Sequence, residues 1–291
     1  MQIAEFYHKN HRKLLLIPLA MVVIALVLIF VQYQKTGDIA LKDVSLSGGI
    51  TATVYSDKVV DVEDLEAYLN KNVGESSVRV LSEFGSSKPL GLIVETADLD
   101  DKLLESELEK YLGFELTQDN LSMEIVGSGL GQSFYRQMLI AILFSFILMA
   151  VVVFVTYRTV IPSLAVVFAA FMDIIVTLAI VNLIGIKLSA AGISAFLLLI
   201  GYSIDTDILQ TTRVLKRKEG TPFDRMKSSV KTGLTMTLAA IVALTAGYFI
   251  STSFVMKEMF SIIIIGLLVD IIATYLMNSS ILLSYAEKRS L

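Results

Sequence analysis

Residues 164–212, LAVVFAAFMDIIVTLAIVNLIGIKLSAAGISAFLLLIGYSIDTDILQTT, contain two long apolar runs joined by a short segment around Gly185 and Lys187. Each run is long enough to cross a bilayer, which takes about 20 mostly apolar residues. Asp173 lies in the first run, and Asp205 and Asp207 lie in the second. This stretch therefore predicts two transmembrane helices with acidic side chains inside the membrane.

The rest of the chain contains more segments of this kind. The six apolar runs lie at 14–33, 137–157, 162–185, 188–212, 232–252 and 257–284. Hydrophobic residues make up 55% of the chain, above the roughly 45–50% that is typical of globular proteins. The first run is too long for a signal peptide and no small-residue cleavage site follows it, so we interpret it as a retained anchor. The sequence predicts an α-helical polytopic membrane protein with six transmembrane helices.

The basic residues of the short loops indicate the orientation of these helices. With the N-terminus inside, 13 lysines and arginines fall on the inner side and only Lys187 and Lys257 on the outer side. We therefore expect a multi-pass protein of the cytoplasmic membrane with both termini in the cytoplasm. The basic segment 213–231 is interpreted as a cytoplasmic loop beside lipid phosphates, in preference to a nucleic-acid patch, and no nucleic-acid partner is predicted.

The segment between the first two spans is predicted to be a separate extracytoplasmic α+β domain. Residues 34–135 include 19 acidic and 8 basic residues, a balance of −11. The expected elements are a strand at 44–55, a helix capped by Asp61, strands at 78–84 and 90–95, a helix after Asp98 and a strand at 122–126. This β-α-β-β-α-β order is that of a ferredoxin-like domain.

The chain thus divides into three predicted parts. Residues 1–33 form the cytoplasmic N-terminus and the first helix, residues 34–136 the outer domain, and residues 137–291 a five-helix bundle. Gly127, Gly129 and Gly131 precede the second span, and since glycine is conformationally permissive, we expect a flexible joint there.

Metal or cofactor chemistry has little support in the composition. The chain has no cysteine, and its two histidines, His8 and His11, both lie near the N-terminus. Thiol-bound metals and disulfides are excluded, and no buried cluster of metal ligands is expected. We predict neither a metal nor a cofactor.

Four aspartates lie inside predicted spans: Asp173, Asp205, Asp207 and Asp270. A charged carboxylate at the centre of a membrane helix costs about 2.5–3.5 kcal/mol on insertion scales. No lysine or arginine of the chain is expected at the same depth. Each acid must therefore be protonated, hydrated in a cavity or paired with another subunit.

Small and polar residues follow the acids at helical spacing. The predicted stripes are Ala165, Ala169, Asp173 and Thr177 in span three; Ser194, Gly201, Asp205 and Thr212 in span four; Ala239, Ala243 and Gly247 in span five; and Gly266, Asp270, Thr274 and Asn278 in span six. Such stripes are typical of helix contacts, so the acids are predicted to face protein or water. Asp205 and Asp207 are about 200° apart on a helix, and the stripe favours Asp205.

These acids suggest a proton-linked or ion-linked membrane role. The simpler alternative is that they are structural aspartates bonded to neighbouring helices. An intramembrane aspartyl protease needs a Gly-x-Gly-Asp turn, which neither Asp205 nor Asp270 has, and no enzymatic activity is predicted. Half of a proton-coupled efflux transporter stays open, since one helix–domain–five-helix unit implies a partner half.

The order of parts resembles the SecF branch of the SecD/SecF family of Sec protein-export subunits, within the resistance-nodulation-division superfamily. Four motifs support the resemblance: Gly48-Gly49-Ile50, Val126-Gly-Ser-Gly-Leu-Gly131, Gly201-Tyr-Ser-Ile-Asp-Thr-Asp207 followed by Thr212-Arg213, and the threonine-rich then alanine-rich stretch Thr232–Gly247. The short outer domain is similar to that of the archaeal branch.

The resemblance implies an accessory subunit that works with a SecD-like partner and the Sec translocon channel. Such a subunit promotes export of unfolded polypeptides and uses the proton-motive force. Asp205, Asp207, Asp270, Asp173 and Arg213 are then the candidate proton- or ion-coupling residues, with either H⁺ or Na⁺ as the ion. A scaffold that stabilises the translocon without transducing energy is the competing hypothesis.

The fourth-span signature departs from the family pattern. The family has Asn-Asp-Thr where this chain has Asp205-Thr206-Asp207. The acid has therefore moved by one residue in either direction, and the resemblance leaves open which of the two aspartates inherits the coupling role.

Overall fold

A computed structural model describes residues 7, 10–56, 58–82, 89–97, 99–217, 219–251 and 253–289. The helices are α1 (Leu16–Thr36), α2 (Val44–Ser47), α3 (Val62–Asn72), α4 (Asp101–Leu112), α5 (Ser128–Tyr157), α6 (Val160–Ile184), α7 (Ala190–Lys216), α8 (Pro222–Ile250), α9 (Phe254–Ile272) and α10 (Ser279–Lys288). The strands are β1 (Gly49–Tyr55), β2 (Ser76–Ser82), β3 (Pro89–Thr96) and β4 (Leu121–Val126). A π-helical segment, Ala273–Asn278, joins α9 to α10.

Six helical stretches of the described chain are long and apolar enough to cross a membrane, the number expected from the sequence. They are Asn10–Thr36, which contains α1; α5; α6; α7; α8; and Phe254–Lys288, which runs through the π-helical segment. Helix α6 contacts α1, α5, α7 and α9 and so lies at the centre of the bundle.

The predicted basic loop 213–231 is largely helical, which corrects its assignment as a loop. Helix α7 continues to Lys216, and α8 begins at Pro222. The start of α8 is fixed by a capping box, in which Thr221 and Asp224 bond each other's backbone, and by proline at the first helical position. Helices that extend beyond the bilayer lose their apolar character there, so hydropathy alone places their ends too early.

The outer domain is a four-stranded antiparallel sheet with two helices. The strand order is β2-β3-β1-β4, and the elements follow as β-α-β-β-α-β along the chain. Leu65 and Leu69 of α3 and Leu104 and Leu108 of α4 are fully buried in one core with the sheet. Asp61 caps α3 as expected, because its side chain accepts hydrogen bonds from two backbone amides.

Two element boundaries of this domain differ from the prediction. Residues 44–47 form the short helix α2 instead of the start of a strand, because the Asp43 side chain accepts a bond from the Ser45 amide and caps a helical turn. Helix α4 is capped by Asp100, whereas the predicted position, Asp98, lies outside the described residues.

The domain sits directly on one end of the bundle. Leu46 of α2 is completely buried within the bundle core. The Asp43 amide donates a hydrogen bond to the Leu188 carbonyl at 3.0 Å. The Arg79 guanidinium lies 3.8 Å from the centre of the Phe254 ring at the start of α9. Movements of the bundle at this end would therefore reach the domain directly.

Candidate functional site

Three membrane helices each direct one carboxyl group into the centre of the bundle. Asp173 of α6 and Asp270 of α9 are 1% exposed, and Asp207 of α7 is 0% exposed. The predicted stripes around Asp173 and Asp270 are buried throughout, so these two acids face protein as expected. The helices can approach closely because Gly266 of α9 lies against Leu199 of α7, where a Cβ would be 2.3 Å from that side chain.

The three acids bond to polar side chains that lie between the helices. Ser203 Oγ donates to Asp173 Oδ2 at 2.5 Å. The carboxyl groups of Asp173 and Asp270 are close enough to interact electrostatically. Thr274 Oγ1 lies 3.0 Å from Asp270 Oδ1 and 3.0 Å from Asp207 Oδ1.

Asp207 also bonds to a side-chain amide. Asn278 Nδ2 donates to Asp207 Oδ1 at 2.7 Å, and Thr274 and Asn278 both belong to the π-helical segment. A π turn re-aims side chains relative to an α-helix and is frequent at functional sites. Here it presents a hydroxyl and an amide to the same carboxyl of α7.

Counting hydrogens shows that the two contacts of Thr274 need a bound proton. Thr274 has one hydroxyl hydrogen, so it can donate to only one of Asp207 and Asp270 at a time. The second contact is a hydrogen bond only if that carboxyl is protonated and donates to Thr274.

Within the described part of the chain, no lysine or arginine pairs with these acids. Asp173 Oδ1, Asp207 Oδ2 and Thr177 Oγ1 are buried without a hydrogen-bond partner. Buried polar atoms of this kind are costly unless they bind a proton, water or ion. The cluster can therefore change its proton occupancy. In the same described residues no group of His, Cys, Asp and Glu is arranged to hold a metal ion.

Asp205 does not belong to this cluster, and the choice between it and Asp207 as the coupling residue stays a prediction. Asp205, Ser194 and Gly201 are all exposed on the outer face of α7. The polar residues on the opposite face, Ser203 and Asp207, form the cluster. The stripe through Asp205 therefore faces away from this bundle.

Ala239 and Ala243 of α8 are also exposed, so the predicted small-residue stripe of span five does not pack within the chain at these positions. Gly247, the third member of the predicted stripe, does pack closely, and so does Gly233. A Cβ on Gly233 would lie 2.5 Å from the Tyr275 hydroxyl, and one on Gly247 would lie 3.0 Å from the Phe260 ring.

Arg213 is bound to the neighbouring helix. Its Nη1 donates to the Ser228 carbonyl at 2.8 Å and to Thr232 Oγ1 at 2.9 Å, both in α8. It lies six residues beyond Asp207, which is about 9 Å along the helix. The structure thus links Arg213 to α8 and not to the carboxyl cluster.

The three joint glycines belong to the start of α5. Gly127 is the N-cap residue, and Gly129 and Gly131 lie within the helix. Gly131 packs against the outer domain, where a Cβ would be 2.8 Å from the Gly48 nitrogen, whereas a Cβ on Gly129 would meet nothing within 4 Å. Gly131 is therefore a close-packing position, and a hinge role for the three glycines stays a prediction.

Ser203 and Glu258 are among the buried polar residues that the sequence did not predict. Ser203 lies four residues before Asp207, on the same face of α7, and this spacing could have indicated it. Glu258, at the outer end of α9, is 3% exposed and accepts a 2.9 Å bond from the Ser189 amide. Its position near the predicted edge of the span gave no comparable signal.

Comparisons with known proteins agree with this architecture. A family model described as protein export membrane protein SecD/SecF, C-terminal, matches residues 108–288. The protein-export membrane protein SecF of Methanothermobacter thermautotrophicus is 40% identical over 288 residues, which cover 97% of this chain and 95% of that protein. SecF of Pyrococcus furiosus is 36% identical over 278 residues, covering 96% and 92%.

A solved structure has the same fold. The crystal structure of SecDF, a translocon-associated membrane protein from Thermus thermophilus, matches with a TM-score of 0.75 at 20% sequence identity. The match covers 97% of this chain and 38% of the SecDF chain. The chain described above thus corresponds to a part of that longer protein.

Proposed function

Because the chain belongs to the SecD/SecF family of protein-export membrane proteins, we propose that it is an accessory subunit of the Sec translocase. In this role it promotes the export of unfolded polypeptides across the cytoplasmic membrane. Its partners are a SecD-like subunit and the translocon channel. The finer proposal is that export is coupled to the proton-motive force through Asp173, Asp207 and Asp270.

The observation that supports coupling is the cluster of three buried acids, two of which share the Thr274 hydroxyl. These two contacts need a bound proton, and Thr274 Oγ1 lies equally far from Asp207 and Asp270. Adding or removing a proton therefore changes which of these groups donates and how α7 and α9 attract each other. Moving one charge across the membrane potential is worth about 2.3 kcal/mol per 100 mV, enough for a few protons to shift helix packing.

The position and movement of the domain follow from the proposed topology. The excess of lysine and arginine in the short inner loops favours cytoplasmic termini, so the domain at 34–136, with its ferredoxin-like element order, lies outside. Leu46 and Gly131 join this domain tightly to the bundle. A shift of the helices would move the domain as a body and could pull or release an exported chain.

A SecD-like partner is supported by the open side of the bundle. The exposed face of α7 and α8 presents Ser194, Gly201, Asp205, Ala239 and Ala243, which are polar or small residues at membrane depth. Acyl chains are a poor environment for such a face, whereas another helix bundle could pack closely on it. The solved SecDF chain is longer than this one, in keeping with a second half.

The test compares two aspartates on opposite faces of α7. Vesicles containing this subunit, its SecD-like partner and the translocon channel are assayed for export with and without a membrane potential. Asp207→Asn is expected to remove the potential-dependent part of export, while Asp205→Asn keeps it. Potential-dependent export by Asp207→Asn at the wild-type rate would refute the coupling role of Asp207. If the potential has no effect even on the wild-type complex, the subunit is a scaffold.

A further inference from the structure

A long apolar groove opens at membrane depth on the side of the bundle formed by α5 and α6. Its volume is about 890 Å³. Its walls include Leu139, Leu143 and Phe146 of α5 and Phe168, Phe171 and Ile175 of α6. The lining follows α6 from Ile161 to Leu178, which is about 25 Å along the helix. The groove is therefore longer than the hydrocarbon depth of a single leaflet, which is about 15 Å.

A basic pocket adjoins the groove at the end of the bundle where α1 begins. This second cavity has a volume of about 290 Å³ and shares Ile161 and Ile281 with the groove. Arg12 and Lys288 line it together with the polar side chains Ser284 and Tyr285. The two cavities therefore adjoin, so that a cationic mouth lies next to an apolar groove.

The two cations of this mouth have no carboxylate partner within the described residues. Arg289 adds a third positive charge nearby, 5.0 Å from the centre of the Tyr285 ring. Ser284 Oγ lies 3.2 Å from His11 Nε2 and can still bond a further group. These donors and charges match a phosphate group.

We propose that this combined cavity binds one anionic membrane lipid, with its phosphate between Arg12 and Lys288 and its hydrocarbon chain in the groove. Basic pockets between transmembrane helices on the cytoplasmic side favour anionic headgroups, and this mouth lies on the cytoplasmic side in the proposed topology. A partner helix could cover the apolar walls, but it would leave the two cations unpaired unless it brought acidic residues. The site is independent of proton coupling by the central carboxyls.

The chain contains no tryptophan, so a single introduced tryptophan reports on the groove. Phe168→Trp places the reporter in the groove wall, and Leu148→Trp places it on the exposed face of α5, outside the groove. Each full-length variant is placed in nanodiscs of phosphatidylcholine with increasing amounts of brominated phosphatidylglycerol, which quenches tryptophan. A matched series uses brominated phosphatidylcholine.

A specific site predicts that Phe168→Trp is half-quenched at about tenfold less brominated phosphatidylglycerol than Leu148→Trp, since each basic residue favours an anionic lipid several-fold. Adding Arg12→Gln and Lys288→Gln should remove this difference. The control pair Lys227→Gln and Lys231→Gln removes two exposed charges of α8 and should leave it unchanged.

Three results would overturn the proposal. Equal quenching of Phe168→Trp by the two brominated lipids would mean that the groove holds only bulk lipid. Loss of the headgroup preference on adding millimolar glycerol phosphate would mean that the pocket takes its phosphate from solution. Loss of quenching when the SecD-like partner is added would mean that a protein helix fills the groove.

Discussion

At the scale of single residues, Thr274 is the most informative member of the site. Its one hydroxyl lies 3.0 Å from the carboxyls of two helices, and it can donate to only one of them. Whichever carboxyl holds a proton can donate back. Thr274 thus makes the proton content of α7 and α9 interdependent, without any metal or basic residue.

Thr274→Val keeps the shape of the side chain and removes this hydroxyl. We expect a loss of about 1–3 kcal/mol in the free energy of unfolding, because two buried carboxyls lose a partner, together with loss of potential-dependent export. Thermal unfolding in detergent and the vesicle assay measure the two effects. Thr235→Val is the control, since Thr235 is exposed and bonds only the Lys231 carbonyl of its own helix. Wild-type coupling in Thr274→Val would exclude the shared-hydroxyl mechanism.

The two aspartates of α7 show the limit of sequence reasoning at this scale. Helical geometry correctly predicts that Asp205 and Asp207 point in different directions. It does not tell which side is inside, because both faces of α7 contain polar residues: Ser203 beside Asp207, and Ser194 beside Asp205. A helix that packs against its own bundle on one side and is open on the other gives no single apolar face to orient it.

At the scale of elements, the start of α5 locks the outer domain onto the bundle. Gly48 has φ 88°, and a Cβ there would lie 2.4 Å from the Ser128 Cα. A Cβ on Gly131, three residues further along α5, would lie 2.8 Å from the Gly48 nitrogen. These contacts explain why glycine stands at positions 48 and 131, since only hydrogen fits between the two backbones.

Gly131→Ala should therefore loosen the domain. The added methyl group would press on the Gly48 nitrogen and on Leu46, and we expect a destabilisation of about 1–3 kcal/mol and faster proteolysis of the outer domain. Gly129→Ala, two residues away with open space around it, should be neutral or slightly stabilising because alanine favours a helix. If Gly129→Ala instead impaired export and Gly131→Ala did not, a flexible hinge would be the better description.

The stability of the folded protein should depend on pH through Glu95, which forms an ion pair with Arg79. Burial raises the pKa of the Glu95 carboxyl above its ordinary value of 4.5, the positive charge of Arg79 opposes this, and Asp43 adds to it, with Lys187 also nearby. Since the folded state favours the protonated form, its gain in stability is complete below about pH 4.5 and is lost as pH rises through the raised pKa.

Lowering the pH from 7 to 5 should thus raise the melting temperature of the wild-type protein relative to Glu95→Gln, whose side chain cannot ionise. Circular dichroism melting at the two pH values measures this difference. Glu124→Gln removes an exposed carboxyl of β4 and should retain the wild-type response. An identical response in Glu95→Gln would show that another group is responsible.

Elements were predictable where an apolar pattern continues without interruption. The six spans and the order of the outer domain follow from apolar runs and from caps such as Asp61. Helix ends outside the bilayer were not, because Lys216 and Pro222 lie in polar sequence where hydropathy gives no signal. The π-helical segment was also unpredicted, since Ala273–Asn278 has the composition of an ordinary helix.

At the scale of the whole molecule, the two sides of the bundle differ in chemistry. The side formed by α5 and α6 is apolar, as a lipid-facing surface should be. The open side formed by α7 and α8 combines Asp205, Ser194 and Gly201 with the exposed alanines of α8. A single chain in lipid would expose the Asp205 carboxyl to hydrocarbon, where a charged acid costs about 2.5–3.5 kcal/mol on insertion scales, and the proposed partner bundle would cover this side.

This argument predicts that Ala243→Trp blocks assembly. Ala243 is exposed on α8, so the large ring leaves the chain's own packing intact but separates the two bundles where small residues allow a close approach. Co-purification with the SecD-like subunit should fall about tenfold, which corresponds to about 1.4 kcal/mol. Val152→Trp puts the same ring on an exposed position of α5 and should leave assembly unchanged. If both variants assembled normally, the partner would have to dock elsewhere, and the polar stripe through Asp205 would need water or ions inside the membrane.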